Sequence, residues 1–139
     1  MKDLESLVRR RLVEDVWSAG NPDAVDAIFA PDFVAHDPDR PGLDGPDAVK
    51  RSVVAFHRAF PDFEITADDF LVAHDRVVWR WTMSGTHRGR ILDVDGTGRR
   101  VTITGLSLFR IRDGMLREGW IHWDALGLLR QLGASGCGV

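Results

Sequence analysis

Apolar residues recur every four positions from Leu4 through Val8 and Leu12 to Val16, with Arg9, Arg10, Arg11 and Glu14 between them. This spacing predicts an amphipathic helix over residues 3 to 19, which Gly20 ends. Asn21 can cap and Pro22 can open a short second helix bearing Val25, Ile28 and Phe29, stopped by Pro31. Phe33 to His36 reads as a short strand, and the stretch DPDRPGLDGP after it as a turn-rich loop. Pro46 starts a third helix in which Val49, Val53, Phe56 and Phe60 recur at i, i+4, i+7 and i+11, so that stripe must face the core. Beyond Pro61 the period changes to two. Phe63–Val72, Val77–Thr86, Arg100–Ile111 and Leu116–Trp123 read as strands, and a final helix runs from about Ala125 to Leu132 before Gly133.

Helices followed by an antiparallel four-stranded meander, with one short early strand, give an α+β layout. The meander turns at His74-Asp75-Arg76, along the long GRILDVDGTG segment and at Asp113-Gly114. Such a sheet has one face covered by helices. Here both faces carry large apolar residues: Val78 opposes Trp79, Trp81 and Met83 in parity, and Leu106 and Leu108 oppose Ile103 and Phe109. Large apolar patches are rare on monomers, so a homodimer packed sheet to sheet is expected.

The chain has 139 residues and 44% hydrophobic content, which suits a single domain, residues 1–133, with a flexible tail at 134–139. Net charge is -3 with acids and bases interspersed, so there is no basic field of the kind that tracks phosphates, and nucleic acid is not an expected partner. No run approaches the ~20 apolar residues a membrane span needs, and the amino end is too charged for a signal peptide, so a soluble cytoplasmic protein is expected. Cys137, the single cysteine, lies in the tail and offers no internal disulfide or cysteine metal site.

Five features together resemble the SnoaL-like polyketide cyclases of the nuclear transport factor 2-like superfamily. They are the order of elements, the FVAHDP loop, the Phe60-Pro61-Asp62 corner, the turn Gly85-Thr86-His87-Arg88-Gly89 and the ending HWDALGLLRQLG. The resemblance spans Val8 to Gly133. It implies a cone-shaped, curved antiparallel sheet wrapped around three N-terminal helices, with a short C-terminal helix and a deep apolar cavity. The scaffold hosts cyclases, dehydratases, isomerases, epoxide hydrolases and binding domains, so the reaction must be argued at the residues.

The aspartate used by aldol-type cyclases of this family falls at Ile121, and a histidine of the preceding strand falls at Ser107, and both departures count against aldol chemistry run from those two positions. Ketosteroid isomerases, similar in fold, use an aspartate in a loop that matches His36-Asp37-Pro38, but their oxyanion partners fall at Val13 and Ser107, and the chain contains no tyrosine. Epoxide-opening cyclases on this scaffold use an Asp in the same loop and a Glu at the start of the strand after the third helix, a pattern that Asp37 and Glu64 match. One carboxylate kept neutral would protonate an oxygen while the other, ionised, removes a proton.

Bland readings stand beside these. Asp37 before proline is also a common turn residue, and Glu64 faces solvent if Phe63 and Ile65 face inward. Asp124 before an apolar helix is a strong N-cap and is preferred as one. The set His36, His87 and His122 lacks the short spacing of a metal site. His36 is expected to line the pocket and His122 to offer a second acid/base group, with His57 and His74 on the surface. Trp17, Trp79, Trp81, Trp120 and Trp123 read as core or as an aromatic cavity wall, with Phe56 and Phe60.

The expected function is thus a cofactor-independent, metal-free enzyme of polyketide-type metabolism, a cyclase, isomerase or epoxide-opening hydrolase. Asp37, Glu64 and His36 are the candidate catalytic residues. Trp17, Phe56, Phe60, Trp79, Trp81, His87, Trp120, His122 and Asp124 are expected to contact a small hydrophobic substrate. Two alternatives remain: a cyclase-like hydroxylase working with a reductase, since members lacking the cyclase aspartate have that activity, and a non-catalytic module binding a hydrophobic ligand.

Overall fold

The computed structural model describes residues 3–38 and 44–133. The loop residues 39–43 and the tail with Cys137 lie outside them. Helix α1 (Asp3–Leu7) runs without a break into a π-helical segment (Val8–Ser18) that buries Val8, Leu12, Val13 and Val16. A strict spacing of four overshoots each 3.6-residue turn by roughly 40°. The wider winding, visible as Ala19 N–H bonding to Glu14 O and Asn21 N–H to Val16 O, keeps those residues on one face.

Asn21 caps a short 3-10 helix (Pro22–Ala27) by accepting from the Asp23 N–H. This helix is shorter than the sequence pattern predicts. Ile28 and Phe29 leave it, and strand β1 (Phe29–His36) begins before Pro31 rather than after it. The proline is tolerated because β1 is an edge strand whose register shifts between Phe29 and Val34.

The remaining elements fall close to their predicted ranges: α2 (Pro46–Ala59), β2 (Glu64–Ala73), β3 (Arg76–Thr86), β4 (Arg100–Arg112), β5 (Met115–Trp123) and α3 (Ala125–Gln131). Strands β2 to β5 form the antiparallel meander, and β1 adds to β5 in parallel, giving the order β1-β5-β4-β3-β2. The sheet is unclosed. Register shifts at Ala67/Asp69 and Arg110/Ile111 bend its strands, as bulges do. Asp113 and Gly114, both at positive φ, make the tight turn between β4 and β5.

Two family motifs prove to be structural staples. Asp62, at the corner after α2, accepts from the Thr86 backbone N–H at 2.6 Å and the Thr86 hydroxyl at 2.7 Å, with Arg100 at 3.3 Å. His87 is fully buried against Phe60, and its Nδ1 accepts the Thr97 N–H at 3.1 Å, which ties down the long β3–β4 connection. At the other end, the Gln131 side-chain amide both accepts from and donates to the backbone of Thr102 at 2.8 Å, locking α3 onto β4.

The Asp62 carboxyl is held below its ordinary value of 3.8, chiefly by the Thr86 backbone N–H, then by its hydroxyl, with Arg100 adding and burial opposing. A lowered folded pKa adds stability above the unfolded value, and that stability is lost as pH falls through the folded value. Asp62→Asn should therefore lower the melting temperature at neutral pH, with the gap to the parent protein narrowing as pH falls below the ordinary carboxylate range. Thermal melts of both proteins from neutral pH to below that range check this; a gap that stays constant sinks it.

Two core clusters result. The first joins the N-terminal helix, β1, α2, the start of β3 and the end of β4 around Leu12, Phe33, Val53, Trp79 and Phe109. The second joins the end of α2, the start of β4 and α3 around Phe60, Met83, Ile103 and Leu128. Trp17, Ile65 and Trp81 pack against both.

Candidate active site

A cavity of about 100 Å³ opens at the seam between the clusters. Strand alternation builds it. On β3, Trp79, Trp81 and Met83 point inward, and on β4, Ile103, Ser107 and Phe109 do the same; Ile121 and Trp123 follow on β5. Phe29, Phe33 and Ala35 come from β1, Val49, Ser52 and Phe56 from α2, and Trp17 from the N-terminal helix. Phe63 and Ile65 supply the β2 side. None of these residues is titratable, and the polar side-chain atoms are the Ser52 and Ser107 hydroxyls and the indole nitrogens.

Four predicted contact residues, Trp17, Phe56, Trp79 and Trp81, are in this wall. Trp17 stacks on Phe63 and meets Phe56 edge-on, both at 6.1 Å between ring centres. Its backbone carbonyl, at the end of the helix, accepts from His57 Nε2 at 2.6 Å. His57 is thus a half-buried helix cap rather than the surface residue expected; His74 is exposed at a hairpin turn.

Trp81 lies flat across Gly105, its register partner on β4, and its Nε1–H donates to Ser107 Oγ at 3.2 Å. A Cβ at position 105 would fall inside the Trp81 ring.

Other expectations are corrected. Glu64 pairs with Ser84 on the outer face of the sheet, its side chain is 73% exposed, and it reaches Arg100 at 3.6 Å. The inward parity of Phe63 and Ile65 forces it out, so Asp37 and Glu64 do not share the cavity. His36 also faces outward, because Ala35 takes the inner position on β1. Its Nε2 bonds Glu118 at 2.7 Å and its ring stacks on Trp120 at 5.0 Å. That hydrogen bond, with one from Arg110, holds the Glu118 carboxyl below its ordinary value against the opposing effect of burial.

Trp120 and His122 are outer-face residues for the same reason, paired with Leu108 and Leu106. Phe60 and His87 are buried behind the wall in the second cluster. Asp124 caps α3, accepting the Gly127 N–H at 2.8 Å, as its preferred reading had it. Among the described residues no three His, Cys, Asp or Glu side chains converge as a metal-binding group.

Asp37 follows β1 and is only 6% exposed. Its parity continues Phe33 and Ala35, the inner positions of that strand. The register Ala35↔Gly119, His36↔Trp120 ends at the residue before it, and Asp37 is not among the residues that line the cavity. The sequence reading missed Ser107 and Ile121 as wall residues, seeing them only as departures from a family pattern; their parity with Phe109 and Trp123 was the available signal.

Comparison with known proteins agrees with this architecture. The aklanonic acid methyl ester cyclase DnrD of Streptomyces peucetius is 29% identical over 131 residues, covering 89% of this chain and 87% of its own. The structure of TsrD from Streptomyces laurentii superposes with a TM-score of 0.85 at 29% identity, over 96% of each chain. AclR from Streptomyces galilaeus, proposed to be a hydroxylase, superposes with a TM-score of 0.83 at 25% identity, over 96% of this chain and 98% of its own. No helix among the described residues is long and apolar enough to cross a membrane. The SnoaL-like polyketide cyclase family model matches residues 7–132, and the chain belongs to that family.

Proposed function

We propose that the chain is a cyclase or isomerase of polyketide-type metabolism that moves one proton with one carboxylate, Asp37, at the end of an aromatic cavity holding a small hydrophobic substrate. The observation that supports this reading is the buried carboxylate directly after β1, the strand whose inner residues Phe33 and Ala35 line a cavity that has no titratable group in its own wall. Ionised Asp37 would remove a proton from carbon next to a carbonyl. The resulting enolate attacks a second carbonyl within the same substrate, and the carboxylic acid returns the proton to the new alkoxide, regenerating the carboxylate. An epoxide opening shared between Asp37 and Glu64 is not supported, because Glu64 is on the opposite face of the sheet. The test is turnover by Asp37→Asn, using aklanonic acid methyl ester as the first substrate because it is the one named for DnrD.

A second reading, hydroxylation with a separate reductase, draws on the likeness to AclR and on the titration-free wall. It requires that conversion depend on oxygen and a reductant, which assays with and without them decide.

A homodimer is part of the proposal. On the outer face, Leu71, Val78, Leu108, Trp120 and His36 align in register as one row across all five strands, and Leu71 is 66% exposed. A mostly apolar row of that length suits a second copy of the same sheet. Sedimentation velocity should give a dimer for the parent protein and a monomer for Leu71→Glu combined with Leu106→Glu, both on this face. A parent protein that sediments as a monomer at micromolar concentration overturns it.

A further inference from the structure

We infer that the cavity anchors its ligand by a carbonyl-type oxygen, gripped by two neutral donors on register-paired residues of β3 and β4: the Trp79 indole N–H and the Ser107 hydroxyl. This rests on the reading above that the cavity is the substrate site, and it adds which substrate atom is held and by what.

Trp79 is 3% exposed and its Nε1–H has no acceptor among the described residues. Leaving a buried donor unsatisfied is destabilising, so such groups are rare unless something uses them. Ser107, also 3% exposed, is the register partner of Trp79, and both are in the cavity wall. The Ser107 oxygen already accepts from Trp81 Nε1–H at 3.2 Å. That bond uses an oxygen lone pair and leaves the hydroxyl hydrogen to donate. It also polarises the hydroxyl, which strengthens it as a donor.

Trp81 can reach Ser107 only because position 105 is glycine. Gly105, Trp81, Ser107 and Trp79 therefore form one built donor set in a wall that is otherwise almost wholly apolar. Two neutral N–H and O–H donors with no cation beside them suit the oxygen of a planar aromatic ketone or enone. They do not suit a carboxylate, which would need a countercharge when buried, or an amine, which needs acceptors.

The test compares α-tetralone with tetralin, the same bicycle without the carbonyl oxygen. Binding is followed by tryptophan fluorescence and calorimetry in the parent protein, Ser107→Ala and Trp79→Phe. The parent should bind α-tetralone more tightly than tetralin, and each substitution should weaken the ketone by about three- to tenfold, more than it weakens the hydrocarbon, with Ser107→Ala leaving the hydrocarbon unchanged. The ketone's carbonyl stretch should move to lower frequency on binding and part-way back in each variant.

Equal losses for ketone and hydrocarbon, or an unmoved carbonyl band, overturn the donor pair while leaving the cavity as the binding site. If neither compound binds the parent protein, both the donor pair and the cavity reading fall.

Discussion

Asp37→Asn should lower kcat by about 10²- to 10⁴-fold, the usual worth of a positioned general acid/base. The amide keeps the size and most of the hydrogen bonding of the carboxyl but cannot take a proton. Asp37 is 6% exposed and no wall residue can replace it, so little residual acid/base catalysis is available. Asp37→Glu should restore part of the rate. A purely structural aspartate would show no such rescue. Glu64→Gln is the control. With its side chain in solvent and paired to Arg100, it should keep kcat within about twofold, as surface changes usually do. Equal losses from the two substitutions would sink the assignment of Asp37.

Phe33→Ala should cost about 3–5 kcal/mol, the range for truncating a buried phenylalanine. Phe33 meets Phe29 at 4.8 Å in a T-shape and Phe109 at 6.3 Å, and all three belong to the first core cluster and to the cavity wall. Its neighbours cannot close over the gap, because the cavity already lies on one side of them. Against a total stability of about 5–15 kcal/mol, the loss is a large fraction. Urea titration should show the midpoint falling with the slope unchanged. A loss under about 1 kcal/mol would mean that the cluster repacks and that Phe33 is not holding the wall.

Most of the fold was legible in the chain because its periods were clean. The α2 stripe of Val49, Val53 and Phe56, the switch to a period of two after Pro61, and the Asp113-Gly114 turn each carry a local physical signal. Pro31 misled because proline breaks helices and central strands, yet an edge strand with a bulge admits it.

The site was harder. A strand shows which residues share a face but not which face is inside, and here both faces are apolar: Trp79 and Trp81 on one, Leu71, Val78, Leu108 and Trp120 on the other. Once β1 and β2 are placed, parity alone moves His36, Glu64, Trp120 and His122 out and leaves Trp79 and Trp81 in, while Trp17 and Phe56 reach the cavity from helices. The Trp81–Ser107 bond had no such signal, since it depends on an indole crossing a glycine on the neighbouring strand.

Trp17, Ile65 and Trp81 each belong to both halves of the interior and also border the cavity between them. A molecule seated there touches the same two halves and so acts as a removable piece of core. Linkage then ties recognition to folding: occupancy at a hundred times Kd adds about 2.7 kcal/mol to stability. The cognate substrate can in this way be sought among candidate polyketides by the degree to which each one keeps the chain folded, before any reaction is known.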